Sequence, residues 1–205
     1  MEGLNFIERV REGIIGFASV YKSVFLDYEH LIYSKDFKKN PYYIIGGNKD
    51  NYKHLTGVGS TLAPAEFFEK CLDCSIKESE IDFIKKGESE KEVKGYVRKK
   101  MKSLSLLSTF FANKLAAEED FKRNRVECSF VTTENNITIG FVNVSRAIPK
   151  TLMSGNVLNK SNSVDISLVL RRRRNEDKFN EIISGDIKEF QAIFPEIYVN
   201  VPKIP

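Results

Sequence analysis

Histidine and cysteine are scarce in this chain of 205 residues, with two of the first and three of the second. Cys71, Cys74 and Cys128 are an odd number, which argues against a disulfide framework and makes a reducing, cytoplasmic setting the expectation. Cys71-Leu-Asp-Cys74 is a single CxxC without a second ligand pair. Core cysteines are the plainer reading of it, and a zinc or redox site the sharper one. No dense group of carboxylates or of Cys and His suggests a metal centre, so neither metal nor cofactor is expected. Long apolar runs are missing too. None approaches the roughly 18 residues of a membrane span, so no membrane partner is expected. The start, MEGLNFIERVREG, is broken by charge too early for a signal peptide. Strong charge of one sign is also lacking. A net +4 is too mild to imply a nucleic-acid partner, and only local clusters can do so.

What is there is the balance of a soluble domain, 41% hydrophobic and 29% charged. The length fits one domain with a helical extension, divided here as a helix in 1–27 packing on a domain of 28–205. Over 4–25, Ile7, Val10, Ile14, Phe17 and Tyr21 recur at helical steps, and Asn5 with Glu8 has the form of a capping box. Gly13 and Gly16 weaken that helix and permit a close neighbour. Residues 28–34 and 42–46 read as strands, followed by turn chemistry at 46–50.

The stretch NYKHLTGVG at 51–59 holds one of the two histidines. Read as a strand over 52–58, period two puts Tyr52, His54 and Thr56 on one face and Lys53 and Leu55 on the other. Phenol, imidazole and hydroxyl in register suit a polar ligand better than a core. A hydrogen-bonded structural histidine is the bland alternative. His30 comes near His54 if the strands of a 28–58 meander pair.

Pro64 opens a short helix with Phe67, Phe68, Cys71 and Leu72 as its buried stripe. Ser75 and Glu78 resemble a second capping box, leading a helix through Ile81 and Ile84 to Gly87. Ser89 and Glu92 start a longer helix over 90–111, with Val97, Met101, Leu104, Ser108 and Phe111 buried. On its adjacent side Arg98, Lys102, Ser105 and Thr109 recur at helical spacing, cations and hydroxyls on one stripe. If the helix instead restarts after Gly95, Arg98, Lys99 and Lys100 sit in its first turn, where cations oppose the helix dipole and an anion is expected; a solvated basic face is the bland alternative. Residues 126–133 and 137–144 read as a hairpin. Ser145, Arg146 and Lys150 fall in a loop around Pro149. Val164, Ile166, Leu168 and Leu170 alternate as a strand that runs into four arginines at 171–174, a phosphate contact or a solvated tip. A short strand and a last helix fill 178–194, and the tail YVNVPKIP is extended.

NYKHLTGV followed closely by FFEKCL resembles the phage-associated nuclease family related to barnase, EndoU, the colicin ribonuclease domains and RelE, in its fourth phage branch. VRKKMKSLSLL, VECSFVT, ITIGFVN and VDISLVLRRRR continue the resemblance over about 28–186. It implies an α+β fold, helices packed on a twisted, mainly antiparallel sheet. It also implies a metal-independent ribonuclease of a phage or other mobile element, of the kind that acts as a toxin or effector. RNA is then the expected partner, with a cognate inhibitor or immunity protein beside it. Carried over by residue, the resemblance points to His54 and Thr56 in HLTG, to Arg98 and Lys102 at the basic helix start, and to Arg146, Lys150 and Arg171. Tyr52, Ser105 and Thr109 join them as substrate contacts through their shared faces. A full carboxylate–His or His–His–Lys set has no place in this sequence. The chemistry asks for a base for the 2′-hydroxyl proton, cations for the charge on phosphorus and an acid for the leaving 5′-oxygen; an imidazole serves as either acid or base. A catalytically silent RNA-binding or protein-interaction module on the same fold stays open, as does a zinc enzyme built on the cysteines.

Overall fold

A computed structural model of the protein describes residues 3–123, 126–143 and 146–199. Its first helix, α1 (Phe6–Tyr21), starts on the expected capping box: Glu8 N donates to Asn5 Oδ1 at 3.1 Å and Asn5 N to Glu8 Oε2 at 2.6 Å. It buries Val10, Ile14, Ala18 and Tyr21 and widens into a π turn at Lys22–Leu26 before the sheet. A Cβ on Gly13 would stand 3.3 Å from Met101 Sδ, so this glycine does bring a neighbour close. β1 (Tyr28–Tyr33) and β2 (Tyr42–Ile45) pair antiparallel, as their aromatic and branched composition suggests.

The next segment departs from expectation. Residues 49–56 form a helix, α2 (Lys49–Thr56), and not a strand. Asn48 N donates to Asn51 Oδ1 at 2.9 Å at its start, and Gly57, at φ +72°, stops it in the left-handed region. Tyr52, Leu55 and Thr56 are buried, the i, i+3, i+4 set of a helix face. The meander therefore ends at β2.

α3 (Pro64–Leu72) begins at its proline and buries Phe67, Phe68 and Cys71. The helix expected behind Ser75 is reduced to a 3-10 turn at Glu78–Glu80, in which Lys77 N donates to Glu80 Oε2 at 2.9 Å. Beyond it the chain is extended: Asp82 and Gly59 exchange two backbone hydrogen bonds of 2.9 and 3.0 Å. Ile81 and Phe83 are buried while Ile84 is exposed, which is period two.

α4 (Glu90–Leu104) has the Ser89–Glu92 box and ends before 111. Leu104, Leu107 and Phe110 are buried three residues apart, and that period gives a 3-10 segment at Leu107–Ala112.

The rest is sheet: β3 (Ala116–Arg123), β4 (Val126–Thr133), β5 (Ile137–Asn143), β6 (Ala147–Ser154), β7 (Val164–Asp165), β8 (Leu168–Arg173) and β9 (Glu181–Gly185), then α5 (Lys188–Ile193). The β4–β5 hairpin falls where expected; residues 144 and 145, and the tail from 200, lie outside the described residues. Arg146 and Lys150 do not share a loop. Lys150 is inside β6, whose Pro149 is accommodated beside a register shift at Gly140/Phe141. The arginines likewise do not follow a strand end; Arg171 to Arg173 are within β8.

One nine-stranded sheet runs β7-β3-β4-β5-β6-β2-β1-β8-β9. Every described strand pairing is antiparallel except β2 with β6, which meet at Ile45 and Ala147, with Gly46 N donating to Ala147 O at 3.1 Å. Helices α1 to α4 cover one face, their Ile14, Tyr21, Tyr52, Phe68 and Val97 sharing a core with Ile32, Phe130 and Phe141 of the strands. Leu31 and Tyr33 point the other way, as alternation requires, into a smaller cluster with Leu168, Leu170 and Phe190 of α5. This is the α+β architecture expected.

Candidate active site

The end of α2, the segment around Lys85 and Glu88, and one face of α4 wall a cleft of about 700 Å³, closed by residues of β4 and β6. His54, on the last turn of α2, is exposed at this cleft. Lys100 of α4 reaches across and donates from Nζ to His54 O at 2.7 Å, onto the carbonyl-rich end of α2, where a cation is favoured. Its stem passes over Gly57. A Cβ there would stand 2.7 Å from Lys100 Cδ, so this glycine is needed both for its left-handed φ and for the crossing. Burial, aided by the like charge of Lys85, pushes the Lys100 ammonium down to about 8. Strongly shifted groups lining a cleft cluster at functional sites, which makes Lys100 a candidate.

Lys99 lies beside it, exposed, and Ser103 one turn on. Glu88 is the single carboxylate among the lining residues. One of its oxygens accepts from Lys85 at 2.6 Å, and Oε2 is shielded from solvent without a hydrogen-bond partner among the described residues. Lys53 also lines the cleft, but its ammonium is held by the carbonyls of Ser60 and Leu62, both at 2.8 Å.

Of the residues singled out from sequence, His54 lines this cleft and the others do not. Thr56 is buried; its Oγ1 donates to Lys53 O at 2.7 Å and accepts from Val58 N at 3.2 Å, bracing the helix end. Tyr52 is buried with its hydroxyl on Ile14 O. Both corrections follow from α2 being a helix, where residues two apart point to different sides. Arg98 lies over the Phe6 ring at 4.8 Å, on the side of α4 that faces α1. Lys102 is exposed, outside the cleft. The lining stripe of α4 is Tyr96, Lys99, Lys100 and Ser103, turned from the stripe of Arg98 and Lys102. Ser105 Oγ donates to Lys102 O at 2.8 Å and Thr109 Oγ1 to Leu106 O at 3.4 Å, each closing its own helical turn. Arg146 Nε is 2.5 Å from the buried Glu29, which Arg172 also holds at 2.7 Å. Lys150 Nζ donates to Glu127 O at 2.8 Å. Arg171 pairs with Glu181 at 2.5 Å. These cations have partners within the fold.

His30 is not at the cleft. It is buried in β1, stacked on Phe111 at 3.9 Å, and burial together with Arg171 holds its imidazole down at about 3. Burial pushes the Cys71 thiol up to about 12, which makes it a core residue and no nucleophile. Among the described residues, no three or more His, Cys, Asp or Glu gather as metal ligands, and no helix is long and apolar enough to cross a membrane.

Sequence reasoning missed Glu88 and reached Lys99 and Lys100 only as members of the Arg98–Lys99–Lys100 run, not as site residues. RKK was legible as a basic cluster, but only the crossing over Gly57 distinguishes Lys100 within it.

Compared with protein families, residues 14–196 match the model described as phage-Barnase-EndoU-ColicinE5/D-RelE like nuclease4. The chain belongs to this family. The match begins inside α1 and ends beyond α5, so this phage nuclease family accounts for all nine strands and the whole cleft. Neither the curated proteins nor the solved structures gave a significant match.

Proposed function

We propose that the protein is a metal-independent endoribonuclease of a phage or other mobile element, with its active site in the cleft between α2 and α4. The observation that carries this reading is the cleft that Lys100 shares with the exposed His54, its ammonium crossing Gly57 to the His54 carbonyl and burial lowering its pKa to about 8. The His54 imidazole takes the proton of the ribose 2′-hydroxyl as that oxygen bonds to phosphorus. The bond from phosphorus to the 5′-oxygen breaks, and the Lys100 ammonium gives its proton to the leaving oxygen. Lys99 supplies positive charge for the phosphorane-like transition state. A single carboxylate, already paired with Lys85, is a poor holder for a hard divalent cation, which takes several oxygen ligands.

The products are a 2′,3′-cyclic phosphate and a 5′-hydroxyl, and DNA is spared because it lacks the nucleophile. The test is incubation of purified protein with mixed RNA and matched DNA, with and without a chelator, followed by identification of the ends. His54→Ala and Lys100→Met are each expected to slow cleavage by about 100-fold or more. Cutting that needs a metal, or equal cutting of DNA, overturns the mechanism. A folded protein that binds RNA and leaves it intact makes the cleft a binding site only.

A further inference from the structure

Tyr96 is a large aromatic left 50% exposed at the border of the cleft. It precedes Lys100 by one helical turn, the i, i+4 spacing that sets two side chains on one face. Lys85 Nζ stands 5.6 Å from its ring centroid. Val58, Val93, Leu152 and Met153 give the same cleft apolar walls. A half-exposed phenol ring with one cation near it, two more lysines further along its helix and apolar residues lining the same cleft has the makings of a stacking platform, where bases lie on the ring and phosphates go to the lysines.

Resting on the ribonuclease reading, we propose that Tyr96 stacks an unpaired base next to the scissile phosphodiester, which makes single-stranded RNA the substrate class. In a duplex the faces of each base are covered by its neighbours, so the ring reaches only a base out of the stack. Lys99 and Lys100, three and four residues on, take the phosphate that follows. Tyr96 is thereby a specificity residue, and the proton transfers stay with His54 and Lys100.

The probe is a short mixed-sequence 2′-O-methyl oligonucleotide, which lacks the attacking hydroxyl and stays whole. Wild type should bind it single-stranded far more tightly than paired with its complement. Tyr96→Ala should weaken single-strand binding by about 5- to 100-fold; Tyr96→Phe should retain it, because the ring does the stacking. An abasic sugar–phosphate chain should bind wild type and Tyr96→Ala alike. Circular dichroism checks that both variants keep the helix content. Equal binding by Tyr96→Ala, an equal loss in Tyr96→Phe, or a duplex bound as tightly as the single strand overturns the proposal. The assay needs no cleavage, so the two readings fail separately. Lost binding in Tyr96→Ala with no RNA cut by wild type sinks the nuclease reading and keeps the platform. Cleavage with unchanged Tyr96→Ala binding does the reverse.

Discussion

Lys100 meets opposed demands, since the burial that tunes its amine also penalises the charge. The sign of the linkage is fixed by the direction of the shift. Below about 8 both folded and unfolded chains hold the proton, and the folded one bears the full desolvation penalty; the penalty fades as pH rises above 8. Lys100→Met should therefore keep or raise the midpoint of thermal unfolding at neutral pH while cleavage is lost. A midpoint lowered by several degrees would show that its bond to His54 O outweighs the burial. On the proposed mechanism, cleavage by wild type should also decline as pH rises through about 8, where Lys100 loses its proton. Arg in its place stays protonated, so Lys100→Arg should carry a slower rate to higher pH without that limb; an unmoved limb would belong to another group.

His30 gives the opposite window. Its imidazole sits at about 3 in the fold, because burial and then Arg171 oppose the charge. Between that value and its ordinary range only the unfolded chain takes the proton, so stability should fall as pH drops through the interval, by up to about 1.4 kcal/mol per unit. His30→Phe keeps a ring against Phe111 and removes the titration. Denaturant titrations from pH 4 to 7 should show a flatter profile in that variant, and parallel profiles would remove His30 from the acid response.

At the scale of elements, what was legible is what is local. The boxes at Asn5–Glu8 and Ser89–Glu92 are complete within four residues, and both helices start on them. The 126–143 hairpin announces itself by alternation around Glu134 to Asn136. α2 was misread because eight residues satisfy two periods at once; the deciding signals are the Asn48–Asn51 box at its start and Gly57 behind it. β3 carries AAEEDFKR, a poor strand sequence that pairing with β4 overrides. Pro149 disguised β6, since nothing nearby in sequence reveals the bulge that accepts it. The lining of the candidate cleft was legible only in part for the same reason: His54 is marked by rarity, whereas Lys100 and Glu88 depend on contacts between distant segments. Two glycines test the helical reading. Gly57→Ala meets a left-handed φ and the Lys100 stem, and should destabilise by about 1–2 kcal/mol with loss of activity. Gly95, in α4 with nothing within 4 Å of an added Cβ, should gain about 0.5–1 kcal/mol as Ala. Thermal unfolding of the two variants should move in opposite directions, and a shift of the same sign in both would contradict the placement of α2 and its cap.

For the whole molecule, the sheet is two sets of neighbours. β3 to β6 form a run of consecutive antiparallel pairings, and β1 with β2, β8 and β9 form the other set. Among the described residues, the brief parallel contact of β2 with β6 is what unites them within the sheet. In folding kinetics, such a contact between distant parts of a chain closes late, because its loop entropy is paid before much surface is gained. Pulse-labelling hydrogen exchange should protect the β4–β5–β6 amides as one early group and the Gly46 amide afterwards; simultaneous protection would indicate a single cooperative unit. The cleft takes His54 from the segment just past β2 and its far wall from β4 and β6, on opposite sides of this seam. A newly made chain thus has no complete cleft until its two sets of strands meet, and an intermediate with either half folded alone lacks one wall of it.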